Sequence, residues 1–238
     1  MPKISVITIN YNDAKGLLKT MLSVNKQTYV DFEHLIIDGN SSDTSRQIIA
    51  NNKQFFTHWI SESDLGIYDA QNKGVKMAHG DYCLFLNAGD YLIDENVLEQ
   101  ISSHLDGTDL IYGDMQTCNS DGQIAHLKMH PKINQKILFK DTIWHPVSFF
   151  KRKLFERFGN YDLQYKIVAD YDLYCRLILK HHISSKYVPL EISVFDTTGI
   201  SSSIEKKVQL IQERRSVQNK YMNPLLLFVF RIYSKLRN

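Results

Sequence analysis

Residues 62–90, ESDLGIYDAQNKGVKMAHGDYCLFLNAGD, decide the fold. The stretch reads as a polar loop, a helix, an apolar strand and an acidic turn at that strand's C-terminal end. The loop Glu62-Ser63-Asp64-Leu65-Gly66 gathers two carboxylates and a glycine, then leads into a helix expected over 68–78. His79-Gly80 closes that helix, with Gly80 expected in the left-handed conformation of a C-cap. Tyr82-Cys83-Leu84-Phe85-Leu86 shows no polar alternation, as a strand buried on both faces of an α/β sheet requires. Asn87-Ala88-Gly89-Asp90 breaks it. Ligands of open α/β sheets bind beyond the carboxyl ends of the strands, so Asp90 sits where chemistry is expected.

Working outward, Ile4-Ser5-Val6-Ile7-Thr8-Ile9 is a β-branched, apolar first strand, ended by Asn10-Tyr11-Asn12-Asp13. Asn12 or Asp13 is available to cap a helix carrying Leu17, Leu18, Met21 and Leu22. His34-Leu35-Ile36-Ile37 is a second strand ending at Asp38-Gly39, and Ser41 to Thr44 caps a helix through Ile48 and Ile49. Thr57 to Ser61 is a third strand. Strand–helix three times over implies a parallel sheet with right-handed crossovers. Beyond Asp90 the order loosens: a helix over 95–104, strands over 109–114, 144–150 and 185–195, and an edge strand or hairpin arm over 122–129. A brief helix is expected over 153–158, a stronger one over 170–179, and a small-residue loop over 197–203. There are no repeats and no low-complexity segment.

The 238 residues suit one large domain, and 43% hydrophobic with 23% charged residues supports a sizeable core. Cys83, Cys118 and Cys175 are scattered and odd in number, which points away from a disulfide framework or a CxxC metal site and towards a reducing compartment. The N-terminus enters a strand directly, without the regions of a signal peptide, and no apolar run reaches the length of a spanning helix. A cytosol-facing protein is expected. The net charge of +2 is uneven: residues 204–238 carry eight Lys/Arg and two Glu, a net of +6, leaving −4 for the rest. A mildly acidic body argues against nucleic acid as partner, and the basic tail is expected to meet something anionic.

Tyr11 and Asp38 lie at the C-terminal ends of neighbouring strands. An aromatic face beside a carboxylate acceptor suits a planar base with an N–H, such as uracil. Asp90 is the candidate metal ligand, since a divalent cation on a carboxylate stabilises a nucleoside diphosphate leaving group. Asp170 is the candidate general base, with Asp172 as understudy; inverting transfer at a sugar carbon needs one carboxylate to accept the incoming hydroxyl's proton. The plainer reading of Asp170 is a residue that favours a helix dipole. His145, between Trp144 and Pro146, reads either as structural or, like Asp172, as an acceptor or diphosphate contact.

Together these residues resemble a family 2 glycosyltransferase of the GT-A fold, of the bacterial surface-polysaccharide type. The resemblance runs over residues 3 to about 200 and rests on five stretches: Ser5 to Asn12, Ile37 to Thr44, Ser61 to Gly74, Phe85 to Asp90 and Ala169 to Leu173. It implies a Rossmann-like, mostly parallel α/β sheet flanked by helices, with a C-terminal helical extension. The transferase domain would be 1–203, with a nucleotide-binding half at 1–114 and an acceptor half at 115–203. Carried over by position, Thr8, Tyr11 and Asp38 match the base pocket, and Asp64, Asn72 and Lys73 line the ribose and diphosphate. Gly89 and Asp90 match the metal motif for Mn²⁺ or Mg²⁺, and Asp170 matches the base. The family's paired aspartates are reduced to Asn87-Ala88-Gly89-Asp90, which leaves Asp90 alone to coordinate.

The donor implied is a nucleotide sugar, a UDP-sugar above others, and the acceptor a saccharide or a polyprenyl-linked saccharide. A Rossmann dehydrogenase or a sugar nucleotidyltransferase requires a glycine-rich turn after the first strand, and Asn10-Tyr11-Asn12-Asp13 is none. A non-catalytic nucleotide-sugar-binding protein is the other alternative. The tail 204–238 is a basic amphipathic helical extension in which Pro224 opens a helix. Leu225 to Phe230, with Ile232, Tyr233 and Leu236, supply an apolar patch among Arg231, Lys235 and Arg237. Such a patch suits the inner face of an anionic membrane, the body of the protein, or a second copy in a homodimer.

Overall fold

Strand β1 (Ile4–Asn10) is buried along its whole length, and its side chains alternate between two cores. Ile4 and Val6 face one, Ile7 and Ile9 the other. Residues 1–197 and 204–235 are described by a computed structural model, so all but the first residue of the loop expected over 197–203, with Leu236 and Arg237, lie outside the described residues. β2 (Phe32–Asp38) and β4 (Tyr82–Phe85) flank β1 in parallel, and β3 (His58–Ser61) extends the sheet beyond β2, also in parallel. The β1–β2–β3 register sets Asn10 beside Asp38 and Asp38 beside Ser61, lining three strand ends along one rim.

Past β4 the sheet becomes mixed. β8 (Ser148–Lys151) runs antiparallel to β4, and β6 (Leu110–Cys118) antiparallel to β8. β9 (Ser185–Asp196) is parallel to β6 and carries the two-residue β5 (Tyr91–Leu92) on its far edge. β7 (Ile124–Leu127) is a hairpin arm on β6. On the Ile4–Val6 face lie α1 (Ala14–Asn25), α2 (Ser45–Asn51) and α4 (Val97–Ser102), through Leu17, Met21, Val24, Ile49 and Ile101. On the Ile7–Ile9 face lie α3 (Ile67–Met77), α5 (Gln135–Lys140), α6 (Lys153–Phe158) and α7 (Ala169–Cys175). The C-terminal α8 (Ile204–Tyr221) and α9 (Pro224–Lys235) join that second core through buried Val217, Met222 and Leu227. Each such side chain contributes roughly 1.5–3 kcal/mol of burial, enough to hold the extension against the body.

Three local expectations change. Gly80 is not left-handed: α3 ends at Met77 with Ala78 extended (φ −70°, ψ 139°), and Gly80 is absent from the positive-φ glycines. Its lack of a side chain serves close packing instead. A Cβ there would lie 2.6 Å from both Ser5 N and Ser5 Oγ, where Gly80 N–H donates to Ser5 Oγ at 2.9 Å. Of the strand expected over 144–150, only the part from Ser148 pairs. His145–Val147 is a 3₁₀ turn, because Pro146 has no N–H for a ladder. α5 and β5 were not expected; α5 is started by Asn134, whose side chain accepts from Ile137 N–H. The cap of α1 is Asp13, accepting from Gly16 N–H at 2.8 Å, while Asn12 takes φ 53°.

Gly80→Ala forces a Cβ into backbone that has no room to yield, and is expected to lower the unfolding free energy by about 1–3 kcal/mol. Urea denaturation followed by fluorescence checks this; a midpoint equal to wild type would show that the Ser5 segment gives way freely.

Candidate active site

The rim formed by β1, β2 and β3 is tied together by Asp38. Its carboxylate is fully buried and accepts from Asn10 Nδ2 (2.8 Å), Ser41 Oγ (2.5 Å), Ser41 N (3.0 Å) and Ser61 Oγ (2.6 Å). Burial pushes its pKa up, but the hydrogen bonds from Ser41, Ser61 and Asn10 outweigh that and hold it below the usual carboxylate value. Every lone pair is engaged, so Asp38 does not offer a free acceptor to a base. Thr8 also departs from expectation: it is fully buried one step below the rim, with Oγ1 3.0 Å from His34 Nε2. Tyr11, by contrast, is 65% exposed just beyond β1. Gly39 sits between the Tyr11 ring and Asp64: a Cβ there would lie 2.5 Å from Asp64 Oδ2 and 3.2 Å from Tyr11 Cδ2. The carboxylate beside the exposed ring is therefore that of Asp64.

Asp64 Oδ1 accepts from Gly66 N–H at 2.9 Å, which leaves Oδ2 turned towards Gly39. Lys73 holds the same loop to α3, donating to Ser63 O at 2.7 Å and pairing with Glu62 at 3.0 Å. Asn72 has both ends of its amide on one residue: Nδ2 donates to Tyr161 O (3.0 Å) and Oδ1 accepts from Tyr161 N–H (2.9 Å). That amide braces the segment before α7 and is not free for a diphosphate. Gly89, at φ 98°, donates its N–H to Thr20 Oγ1 at 3.1 Å.

The acidic turn and α7 meet through a chain of polar contacts. Asp90 is buried, with Oδ1 accepting from Asp196 N–H at 3.2 Å and Oδ2 without a partner. Burial lifts its pKa to about 8. An orphaned, buried carboxylate oxygen is what a divalent cation would satisfy, so the chemistry of Asp90 fits a metal ligand. Among the described residues no group of three or more His, Cys, Asp or Glu side chains converges as a cage. From the same turn, Asn87 Nδ2 donates to His145 Nε2 at 3.0 Å, and Gln71 Nε2 donates to Asn87 Oδ1 at 3.4 Å. With Nε2 accepting, the proton of His145 lies on Nδ1, 4.0 Å from Asp170 Oδ2. Burial lowers the His145 pKa to about 4, so the ring is neutral.

Asp170 Oδ1 accepts from Tyr171 N–H (2.8 Å) and lies 3.2 Å from Tyr68 Oη, whose single proton is shared between it and Ile167 O at 2.7 Å. Burial raises the Asp170 pKa, and those hydrogen bonds reverse only part of the rise. A carboxylate anchored by one oxygen, still partly exposed and with raised basicity is suited to accept a proton. Asp172 does not share the cleft: its side chain is 0% exposed and pairs with Lys220 Nζ of α8 at 3.1 Å.

The sequence profile described as "Glycosyl transferase family 2" matches residues 5–178, which span every element named in this site up to α7. The chain belongs to glycosyl transferase family 2. Among relatives of this family 2 glycosyltransferase, the "PGL/p-HBAD biosynthesis glycosyltransferase" of Mycobacterium bovis (strain BCG / Pasteur 1173P2) is 31% identical over 218 residues. That alignment covers 87% of this chain and 82% of the relative. Among solved structures, S. aureus TarS 1-349 in complex with UDP-GlcNAc superposes with a TM-score of 0.71 at 16% identity, covering 93% of this chain and 72% of that one. This chain spans 37% of the longer TarS chain. The mannosyltransferase PcManGT from Pyrobaculum calidifontis, in complex with GDP-Man and Mn²⁺, gives 0.62 at 16% identity, covering 81% and 56%. These likenesses establish the GT-A-like fold: a curled, mixed sheet flanked by helices.

Tyr68 and Asn87 were not singled out from the sequence. Tyr68 stands in the Leu65-Gly66-Ile67-Tyr68-Asp69 stretch, where it reads as a helix opening, and Asn87 reads as a strand breaker. Asp170→Asn in the family 2 glycosyltransferase keeps the shape and the Tyr68 contact but removes the proton acceptor. Turnover is expected to fall roughly 10²–10⁴-fold with UDP affinity retained. Asp172→Asn is expected instead to lower unfolding free energy by about 1–3 kcal/mol, by weakening the pairing with Lys220. Steady-state kinetics paired with thermal denaturation check both; a mild Asp170→Asn beside a crippled, fully folded Asp172→Asn would reverse the two roles.

Proposed function

We propose that this family 2 glycosyltransferase is an inverting enzyme that moves a hexosyl or N-acetylhexosaminyl group from a UDP-sugar to a hydroxyl of a saccharide or lipid-linked saccharide, in the building of a cell-surface glycoconjugate. The observation that carries the reading is Asp170, a single anchored carboxylate with raised basicity, joined through His145 and Asn87 to the Asp90 turn. In this reading Asp170 Oδ2 takes the proton of the acceptor hydroxyl as its oxygen bonds to the anomeric carbon. The bond from that carbon to the diphosphate oxygen breaks on the opposite face, and UDP departs. Tyr68 holds Oδ1 so that Oδ2 faces the acceptor. Neutral His145 sits beside Oδ2 without neutralising it. Tyr11 stacks the base, and Asp64 Oδ2 is the acceptor for its N–H or for a ribose hydroxyl. Residues 1–114 then serve the donor and 115–203 the acceptor. Asp90 Oδ2 would hold Mn²⁺ or Mg²⁺, which when bound supplies positive charge to the leaving diphosphate. Support for a nucleotide-sugar donor comes from the TarS and PcManGT complexes.

Incubation with UDP-GlcNAc, UDP-glucose, UDP-galactose and GDP-mannose, with and without Mn²⁺, tests the reading through nucleotide release. Proton NMR of the product is expected to show a β-linkage from an α-donor; an α-linkage would overturn inversion. With UDP present, Mn²⁺ is expected to raise the melting temperature, and Asp90→Ala to abolish that rise. An unchanged rise in Asp90→Ala would move the metal elsewhere.

The extension is read as the membrane contact, at the inner face of a cell membrane. On α9, Leu225 (72% exposed), Phe228 (62%), Val229, Ile232 and Tyr233 follow the i, i+3, i+4, i+7, i+8 spacing of one helix face, while Leu227 is buried and Phe230 packs on Phe139. No helix among the described residues is long and apolar enough to cross a membrane. An outward apolar stripe on a segment of net charge +6 suits an anionic lipid surface. Wild type is expected to co-sediment with phosphatidylglycerol-containing vesicles at low salt, and the Leu225→Glu, Phe228→Glu double variant to stay in solution. Equal sedimentation of both forms would dismiss the stripe, and a salt-insensitive dimer lost in the variant would assign the face to a second copy.

A further inference from the structure

We propose that Glu213, on α8 and outside the matched family region, is a positioning residue that sets the place of Asp170. Its carboxylate grips the backbone just ahead of α7: Oε2 accepts from Ile167 N–H (2.9 Å), Lys166 N–H (3.1 Å) and Val168 N–H (3.2 Å), and Oε1 from Lys166 N–H (3.1 Å). Val168 is the N-cap residue of α7 and provides no side-chain cap of its own. The N–H of the N-cap residue and the two N–H groups ahead of it are thus satisfied by a side chain from another helix, with charge-assisted bonds roughly twice as strong as neutral ones.

Ile167 is the crux. Its N–H is held by Glu213 and its C=O by the Tyr68 hydroxyl, whose single proton is shared with Asp170 Oδ1. A drift of this residue moves the Tyr68 hydroxyl and the first turn of α7 together, and Asp170 with them. α8 is itself secured on either side of Glu213. Gln209 Nε2 donates to Glu213 Oε1 at 2.8 Å, fixing the carboxylate's orientation. Arg214 Nη2 donates to Asp141 O (2.7 Å) and Leu138 O (3.0 Å) and its guanidinium lies 4.2 Å from the centre of the Tyr171 ring, while Lys220 reaches Asp172. Glu213 therefore holds the segment ahead of α7 from a helix that is itself tied to the body. The sequence gives no warning of this, since Glu213 lies 43 positions beyond Asp170 in a charge-rich helix.

The inference rests on the reading of Asp170 as the base, and one set of variants separates the two. Nucleotide release from the UDP-sugar that supports turnover is measured for wild type, Glu213→Ala, Glu213→Gln, Asp170→Asn and the double variant Asp170→Asn, Glu213→Ala. UDP affinity is measured by calorimetry alongside. Glu213→Ala is expected to lower kcat about 10–100-fold, as a displacement near 1 Å at a reacting group does, with UDP affinity unchanged. Glu213→Gln keeps the length and an acceptor oxygen and is expected to stay within about fivefold of wild type. In the Asp170→Asn background Glu213→Ala is expected to change the residual rate by less than about twofold, because the residue it positions is already disabled. An equal fold-loss in both backgrounds, or UDP affinity falling in step with kcat, overturns the positioning role in favour of general support of the fold. Unaltered turnover in Glu213→Ala beside a crippled Asp170→Asn overturns it alone, whereas an Asp170→Asn with full activity removes the base reading and this inference with it. Should Glu213→Ala not stay folded, Glu213→Asp keeps the charge, withdraws it by one carbon, and carries the same comparison of backgrounds.

Discussion

The buried carboxylate of Asp38 is the interaction on which the cleft depends. A lone buried charge costs several kcal/mol in lost hydration, and only a full set of donors makes it tolerable. Asn10, Ser41 and Ser61 supply that set from the ends of β1, β3 and the loop after β2. In return the carboxylate ties three strand ends into one rim, which presents Tyr11 outward and brings Gly39 against Asp64. Because the hydrogen bonds hold its pKa below the unfolded value, this contribution is complete at neutral pH. It is lost only as acid carries the pH down through the lowered folded value.

A second junction bridges the two halves of the sheet. β4 delivers Asn87 and Asp90, while β8 is preceded by the turn carrying His145, and β4 and β8 are hydrogen-bonded neighbours. Their antiparallel pairing is where the parallel order stops, so residues 87 and 145 meet at one edge although they are far apart in sequence. The neutral imidazole then separates the acidic turn from Asp170 without lending either a charge. Asp90 and Asp170 both have raised pKa values, each raised chiefly by its own burial. Asp90 keeps an unpartnered oxygen, whereas Asp170 is anchored through Oδ1.

What was legible in the sequence followed the physics of burial. β1, β2 and β4 are covered on both faces, so they appear as unbroken apolar runs, and the acidic and polar residues that follow them mark the strand ends. Side-chain direction was not legible. Thr8, Asp38 and Asn72 are polar residues near a cleft, yet each is turned to a partner within the protein: His34, the Asn10–Ser41–Ser61 set and Tyr161. Residue type does not say which way a polar side chain points when a buried donor competes with solvent. Asp172 was legible in principle, since two residues along a helix turn its side chain about 200° from Asp170 and onto the far face. α5 lacks an apolar period, and β5 is too short to have one.

The C-terminal extension joins the outer surface to the start of α7. α8 packs through Val217, holds the start of α7 with Glu213 and engages Asp172 with Lys220. After the short turn at Met222, α9 lays Leu227 on the same core and turns Leu225, Phe228 and Val229 outward. Arg231 Nη2 donates to Asn219 Oδ1 at 2.9 Å, linking α9 back to α8. The apolar stripe of α9 and the backbone ahead of Asp170 are thus joined through α8, which lies beyond the matched family region.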